Sequence, residues 1–218
     1  MSPIKPSIKT EIIPTIVVIL SILASFYFYA NFPAQVATHW NIDGQIDDYS
    51  SKLVGAFLIP ILIFGLYIMF LALPYLDPKK DRYQEFAKVY HIFKDLIIIF
   101  MFLIYLASGL ANLGYNVEIG LVVPTLVGLL FIIMGNYMGK IKYNWFMGIR
   151  TPWTLSSENV WNKTHRVGGW LFIGLGLTML TTPILPKTII TPIFFSAIMI
   201  TVVGSFVYSY ILYRNEKK

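Results

Sequence analysis

Apolar runs of membrane length recur along the whole chain, with short polar segments between them, and that alternation decides most of what the sequence can become. The runs are 12–30, 53–76, 96–114, 121–138, 169–185 and 188–210 of the 218 residues. A helix crossing a bilayer needs about 20 predominantly apolar residues, within a range of about 17–25. Charged residues make up 13% of the chain, against about 25% in soluble domains, and the deficit sits in these runs. The sequence therefore predicts an all-α, polytopic integral membrane protein with six transmembrane helices. Two segments organise it: 1–76, a two-helix unit with an Asp-rich connection, and 77–218, a four-helix unit.

The first run is read as a retained span. A signal peptide has a shorter apolar core and a small-residue cleavage site, whereas this run ends in Phe26-Tyr27-Phe28-Tyr29, an interfacial aromatic belt. The segment 32–52 follows, with three aspartates. Its Asp43-Gly44 pair is a turn signal, because Gly accepts positive φ, and predicts a small hairpin. Tyr83, Phe86 and Tyr90 recur at helical spacing in 77–95 and predict a short amphipathic helix on the membrane surface.

With six spans both termini lie on one side of the membrane. That side then carries fifteen of the seventeen Lys and Arg residues, and the other carries only Lys52 and Lys187. The positive-inside rule makes the fifteen-cation side cytoplasmic and puts the Asp-rich segment outside. The net charge of +6 is thus a topological signal, and no direct contact with nucleic acid is expected. Cysteine is absent, which excludes disulfides and thiolate metal sites.

The longest polar interruption, residues 135–169, reads GNYMGKIKYNWFMGIRTPWTLSSENVWNKTHRVGG. It holds Trp145, Trp153 and Trp161, and five cations against the single acid Glu158. Long loops are usually functional or disordered, and disordered ones are poor in aromatics, so this stretch is expected to be folded. Pro152 disfavours a helical Thr151. A helix from about Ser157, with Glu158 in its first turn, places Trp161, His165 and Gly168 on one face and Asn162 and Arg166 on another. Asn136, Asn144 and Arg150 carry polar groups that need partners near a bilayer, with Glu158 as a counter-charge for Arg150. His165 is read as a helix-packing donor ahead of a proton switch.

This stretch resembles the signature of the SdpI family of bacterial membrane proteins, and the outer segment ATHWNIDGQIDDYSSK resembles a domain of unknown function that precedes it in that family. The resemblance implies immunity to a secreted peptide toxin, with signalling through a small winged-helix repressor held at the membrane. It also implies functional residues. In the signature these are Asn136, Asn144, Trp145, Gly148, Arg150, Thr151, Pro152, Trp153, Glu158, Trp161 and His165. In the outer segment they are His39, Trp40, Asn41, Asp43 and Gly44.

The residues themselves add limits. His39, Asn41, Asp43, Asp47 and Asp48 hint at cation binding, but aligning a calcium loop on Gly44 puts His39 first and Ser50 twelfth, where a bidentate Glu belongs. A structural turn is the better reading, and no metal or cofactor is expected. Zinc-protease, phosphate-loop and dinucleotide motifs are absent, and a non-enzymatic protein is expected. Lys94 and Asp95 are read as snorkelling at a helix end, which leaves the spans almost free of buried charge and counts against ion-coupled transport. The alternative function is a small-molecule or ion transporter with Asn136, Asn144 and Arg150 lining a cytoplasmic vestibule. The only partner common to both functions is membrane lipid.

Overall fold

The computed structural model describes residues 4–42, 44–182 and 184–217. Asp43, one of the outer-segment candidates, and Lys218 of the basic tail lie outside the described residues. In chain order the elements are α1 (Ile8–Asn31), β1 (Gln35–Trp40), β2 (Ile46–Ser51), α2 (Lys52–Leu76), a 3-10 segment (Lys80–Phe86), α3 (Ala87–Asn112), α4 (Ile119–Met138), α5 (Glu158–Thr181) and α6 (Lys187–Glu216). Five of the six long helices are long and apolar enough to cross a membrane. The chain is a mostly helical, multi-pass membrane protein with one small hairpin, and its many exposed apolar side chains (Leu23, Phe26 and Ile61 among them) are what a helix offers to lipid.

α5 starts where the sequence places a helix, with Ser157 as its cap, and it is longer than expected. The apolar run 169–185 is not a helix of its own. It continues a helix that starts at Glu158 and carries Lys163, His165 and Arg166 in its first turns. The expected surface helix over 77–95 also differs, since a 3-10 segment runs straight into α3. The face was read correctly, because Tyr83, Phe86 and Tyr90 are all buried.

Contacts divide the chain into two compact units. One comprises Pro6–Leu71 and Lys94–Leu126. α1 opens it with a capping box: the Ser7 hydroxyl accepts from the Thr10 amide, and the Thr10 hydroxyl accepts from the Ser7 amide. Its core joins Phe28, Phe32, Val36, Ala56 and Tyr105. Phe28 and Phe32 stack at 5.1 Å, Tyr105 meets Phe28 edge-on, and the Tyr105 hydroxyl donates to the Ala56 carbonyl at 2.6 Å. β1 and β2 pair antiparallel with irregularities on either side of His39. The predicted turn is present, with Gly44 at φ +74° and its amide bonded to the Asn41 carbonyl at 2.9 Å. The hairpin is clamped to α3 by Asn112, whose side-chain amide accepts from the Ala37 N–H at 2.7 Å and donates to the Ala37 carbonyl at 3.0 Å.

Lys94 does not snorkel. It is 1% exposed, and its ammonium donates to Glu11 Oε2 at 2.6 Å and to the Thr10 carbonyl at 2.9 Å. A lysine buried at this level keeps its charge only with a hydrogen-bonded counter-ion, and Glu11, in the first turn of α1, supplies it.

The other unit comprises Met1–Lys5, Ala72–Phe93 and Val127–Lys218. α4 and α5 meet through paired glycines seven residues apart on each helix. A Cβ on Gly135 would stand 2.5 Å from the Gly169 carbonyl, and one on Gly128 would stand 2.8 Å from that of Gly176. Small residues of this kind let membrane helices bring their backbones together. Gly135→Ala forces the two backbones apart, whereas Gly65→Ala meets nothing within 4 Å. In detergent the first change is expected to lower the melting temperature clearly, and the second to leave it unchanged or slightly raised.

Candidate functional site

The signature stretch is built from side chains that close its own backbone. Asn144 is fully buried. Its amide donates to the carbonyls of Lys142 and Met147 at 2.8 and 2.9 Å. Its oxygen accepts from the amides of Phe146 and Met147 at 2.9 and 2.7 Å. A carboxamide has two donors and two acceptor lone pairs, so every valence of Asn144 is spent on this turn. The turn is also held from outside at Trp145. The Trp145 amide donates to Asp77 Oδ2 at 2.9 Å, and the Arg150 guanidinium donates to the Trp145 carbonyl at 2.7 Å.

Asp77 is buried and is the second organiser of the site. Besides Trp145 it accepts from the Tyr83 hydroxyl at 3.0 Å and the Lys79 amide at 2.7 Å. Nothing in the periodicity of 77–95 marks it, because its partners come from three places in the chain.

The turn ends at Gly148, at φ +112°, and its next amide, that of Ile149, donates to His165 Nε2 at 2.9 Å. His165 Nδ1 lies 2.9 Å from the Trp161 carbonyl. A carbonyl only accepts, so the proton is on Nδ1 and Nε2 is the acceptor, a neutral imidazole with both nitrogens in use. Trp161 stacks on His165 at 4.0 Å and donates its indole N–H to the Ile141 carbonyl at 2.9 Å. Tyr143 meets Trp161 edge-on, and its hydroxyl donates to the Leu155 carbonyl. Burial lowers the His165 pKa to about 4. The sign follows directly: an unfolded histidine takes up its proton near pH 6.5, before the folded one. Stability is therefore complete above pH 6.5 and is lost as pH falls towards 4, by roughly 3 kcal/mol in all. His165→Gln keeps an acceptor for Ile149 and does not titrate in this range. Thermal denaturation between pH 6.5 and 4 is expected to show a steeper loss in the parent than in that variant.

The Arg150-Thr151-Pro152-Trp153 turn is closed by hydroxyls. Thr154 Oγ1 accepts from the Thr151 amide at 2.8 Å and donates to the Ile149 carbonyl at 2.9 Å. Thr151 Oγ1 is 2.9 Å from Ser209 Oγ on α6. Pro152 is exposed, and its carbonyl accepts from the Ser156 hydroxyl at 2.6 Å. Trp153 packs on Phe206 and Tyr210 of α6, with ring centroids 4.7 and 5.0 Å away. Ser157 then caps α5, accepting from the Val160 amide. Trp161, His165 and Gly168 face inward while Asn162 and Arg166 face outward, as the helical spacing predicts.

Two expected partnerships differ. Glu158 is not the counter-charge of Arg150, because it pairs with Arg82 of the 3-10 segment. Asn136 does not meet Arg150 through any bond in this network and stands exposed on α4. What the stretch leaves open is a surface: Trp145 and Phe146 are 46% and 38% exposed on a fully bonded backbone. In the outer hairpin, His39 Nδ1 lies 2.5 Å from Asp47 Oδ1, both exposed, and Trp40 pairs with Ile46 across the ladder. The Asn41 side chain accepts from the Gln45 amide at 3.0 Å.

Residues 140–209 match the model of the SdpI/YfhL protein family. The match takes in most of the signature stretch, α5 and most of α6. Residues 16–64 match a domain of unknown function, DUF1648, so the chain carries one match in each of its two halves. It is 28% identical over 207 residues to "Immunity protein SdpI" of Bacillus subtilis (strain 168), an alignment covering 95% of this chain and 97% of the relative. No solved structure matches it.

Proposed function

We propose that this SdpI-type protein gives its cell immunity to a secreted peptide toxin and reports the toxin's presence through the signature stretch. The observation that carries the reading is the near end-to-end similarity to an immunity protein, which covers 97% of that relative. In this reading the hairpin 35–51 faces outside and the stretch 135–169 faces the cytoplasm, as the fifteen-to-two division of cations requires. There the exposed Trp145 and Phe146 are the surface offered to a small winged-helix repressor. Aromatic side chains on a rigid backbone lose little entropy on contact and are favoured at protein interfaces. No catalytic step is part of this function.

Expression in a strain sensitive to the family's peptide toxin tests the proposal. Survival should rise well above that of cells with an empty vector, and unchanged killing with the protein confirmed in the membrane would refute it. Impermeant thiol labelling of intact cells tests the orientation: Gln45→Cys should react and Asn162→Cys should be protected.

The second reading, transport, draws on one observation, the buried Lys94–Glu11 pair. The pair lies at the edge of the apolar runs 12–30 and 96–114, where it would stand at the mouth of an ion pathway. Replacing both by methionine removes the charges together. Under the immunity reading, protection survives that double change.

A further inference from the structure

The signature-bearing unit holds a cleft of about 570 Å³ between α4, α5 and α6. That is an ordinary volume for a small-ligand site. Its walls are apolar apart from a few hydroxyls. Thr201 donates to the Ala197 carbonyl at 2.8 Å, and Thr151 is paired with Ser209. Ser205, 5% exposed, has a buried hydroxyl with no hydrogen-bond partner. A buried hydroxyl left unpaired costs about 1–3 kcal/mol, so the site calls for an acceptor.

The shape narrows the occupant further. The α6 wall runs from Phe194 to Phe206, twelve residue steps or roughly 18 Å of helix. One leaflet contributes about 15 Å of hydrocarbon, so the cleft is about one leaflet deep. Ser205 sits towards one end of that depth, one turn from Ser209, the partner of Thr151. A molecule that fits is a single extended hydrocarbon chain with an oxygen acceptor at its head.

We propose that the cleft binds the acyl chain of a lipid, with its carbonyl oxygen accepting from the Ser205 hydroxyl and its tail running towards Phe194. The bound chain packs against Ile149, whose amide is the one held by His165. Lipid occupancy therefore supports the signature turn from the membrane side. The inference is independent of the immunity reading, since it concerns a ligand of the bilayer itself.

The test uses the full chain in nanodiscs and photocrosslinking in two arms, one with a phosphatidylglycerol carrying a diazirine near the chain terminus and one with diazirine-labelled palmitic acid. Label is expected to concentrate on residues 194–198 and 172–179 above the level on lipid-facing α1. Ser205→Ala should weaken that enrichment about fivefold, the equivalent of one neutral hydrogen bond. Leu175→Trp, which fills the cleft, should abolish it while size-exclusion behaviour stays that of the parent. Enrichment in only one arm identifies whether membrane lipid or free acid is the source. Label spread evenly over the lipid-facing helices in both arms, or enrichment indifferent to both substitutions, would overturn the proposal.

Discussion

Gly148→Ala is expected to dismantle the signature turn. Gly148 holds φ +112°, which other residues rarely adopt, and an added Cβ would collide with His165 Nε2. The conformational strain alone costs about 1–3 kcal/mol. The collision also separates His165 from the Ile149 amide, leaving a polar group unpaired at about 1–3 kcal/mol more. A loss of about 4 kcal/mol corresponds to a fall in melting temperature of about 10 °C for a chain of this size. The matched control is Gly174→Ala on α5, where a Cβ meets nothing within 4 Å. Thermal denaturation in one detergent measures both. Equal melting temperatures for the two variants would remove the His165 contact from the account of the turn.

Asn144→Ala should be comparably damaging, and its contrast with Asn136→Ala is the informative part. The two asparagines look equivalent in the sequence. In the structure Asn144 closes four hydrogen bonds, while Asn136 is exposed on α4. Removing Asn144 leaves buried carbonyls of the turn without donors, a cost of about 3–5 kcal/mol. Removing Asn136 should change stability by no more than about 0.5 kcal/mol. Asn144→Asp does not rescue the site, because it keeps the acceptor for Phe146 and Met147 but loses both donors and buries a carboxylate.

These two positions show where sequence reasoning reached and where it stopped. Local chemistry was legible. The Asp43-Gly44 signal gave the hairpin, Pro152 and Ser157 marked the start of α5, and the 3.6 period put Trp161 and His165 on one buried face. Each of those features is written within a few neighbouring residues. The missed features are pairings between polar groups far apart in the chain. Trp145 meets Asp77, Glu158 meets Arg82, Lys94 meets Glu11, and Asn112 holds Ala37. Such pairs leave no periodicity, and a lone charge near an apolar run reads equally well as solvated. The start of α5 was read at Ser157, and only its unbroken run into 169–181 was not. Hydropathy marks where lipid begins, but the backbone hydrogen bonds of a helix continue across that line into polar sequence.

Hydrogen exchange across residues 141–157, in nanodiscs and resolved by mass spectrometry, asks most directly whether the longest polar stretch is a built site or a loose connection. The amides of Trp145, Phe146, Met147, Ile149, Thr151 and Thr154 all have acceptors within the protein. A built site predicts exchange slowed by about a thousandfold or more relative to the unfolded chain, as in structured elements, with Gly148→Ala releasing the protection. Exchange of this stretch within about tenfold of the unfolded rate, while α5 stays protected, is the behaviour of a mobile loop and would contradict the site described here.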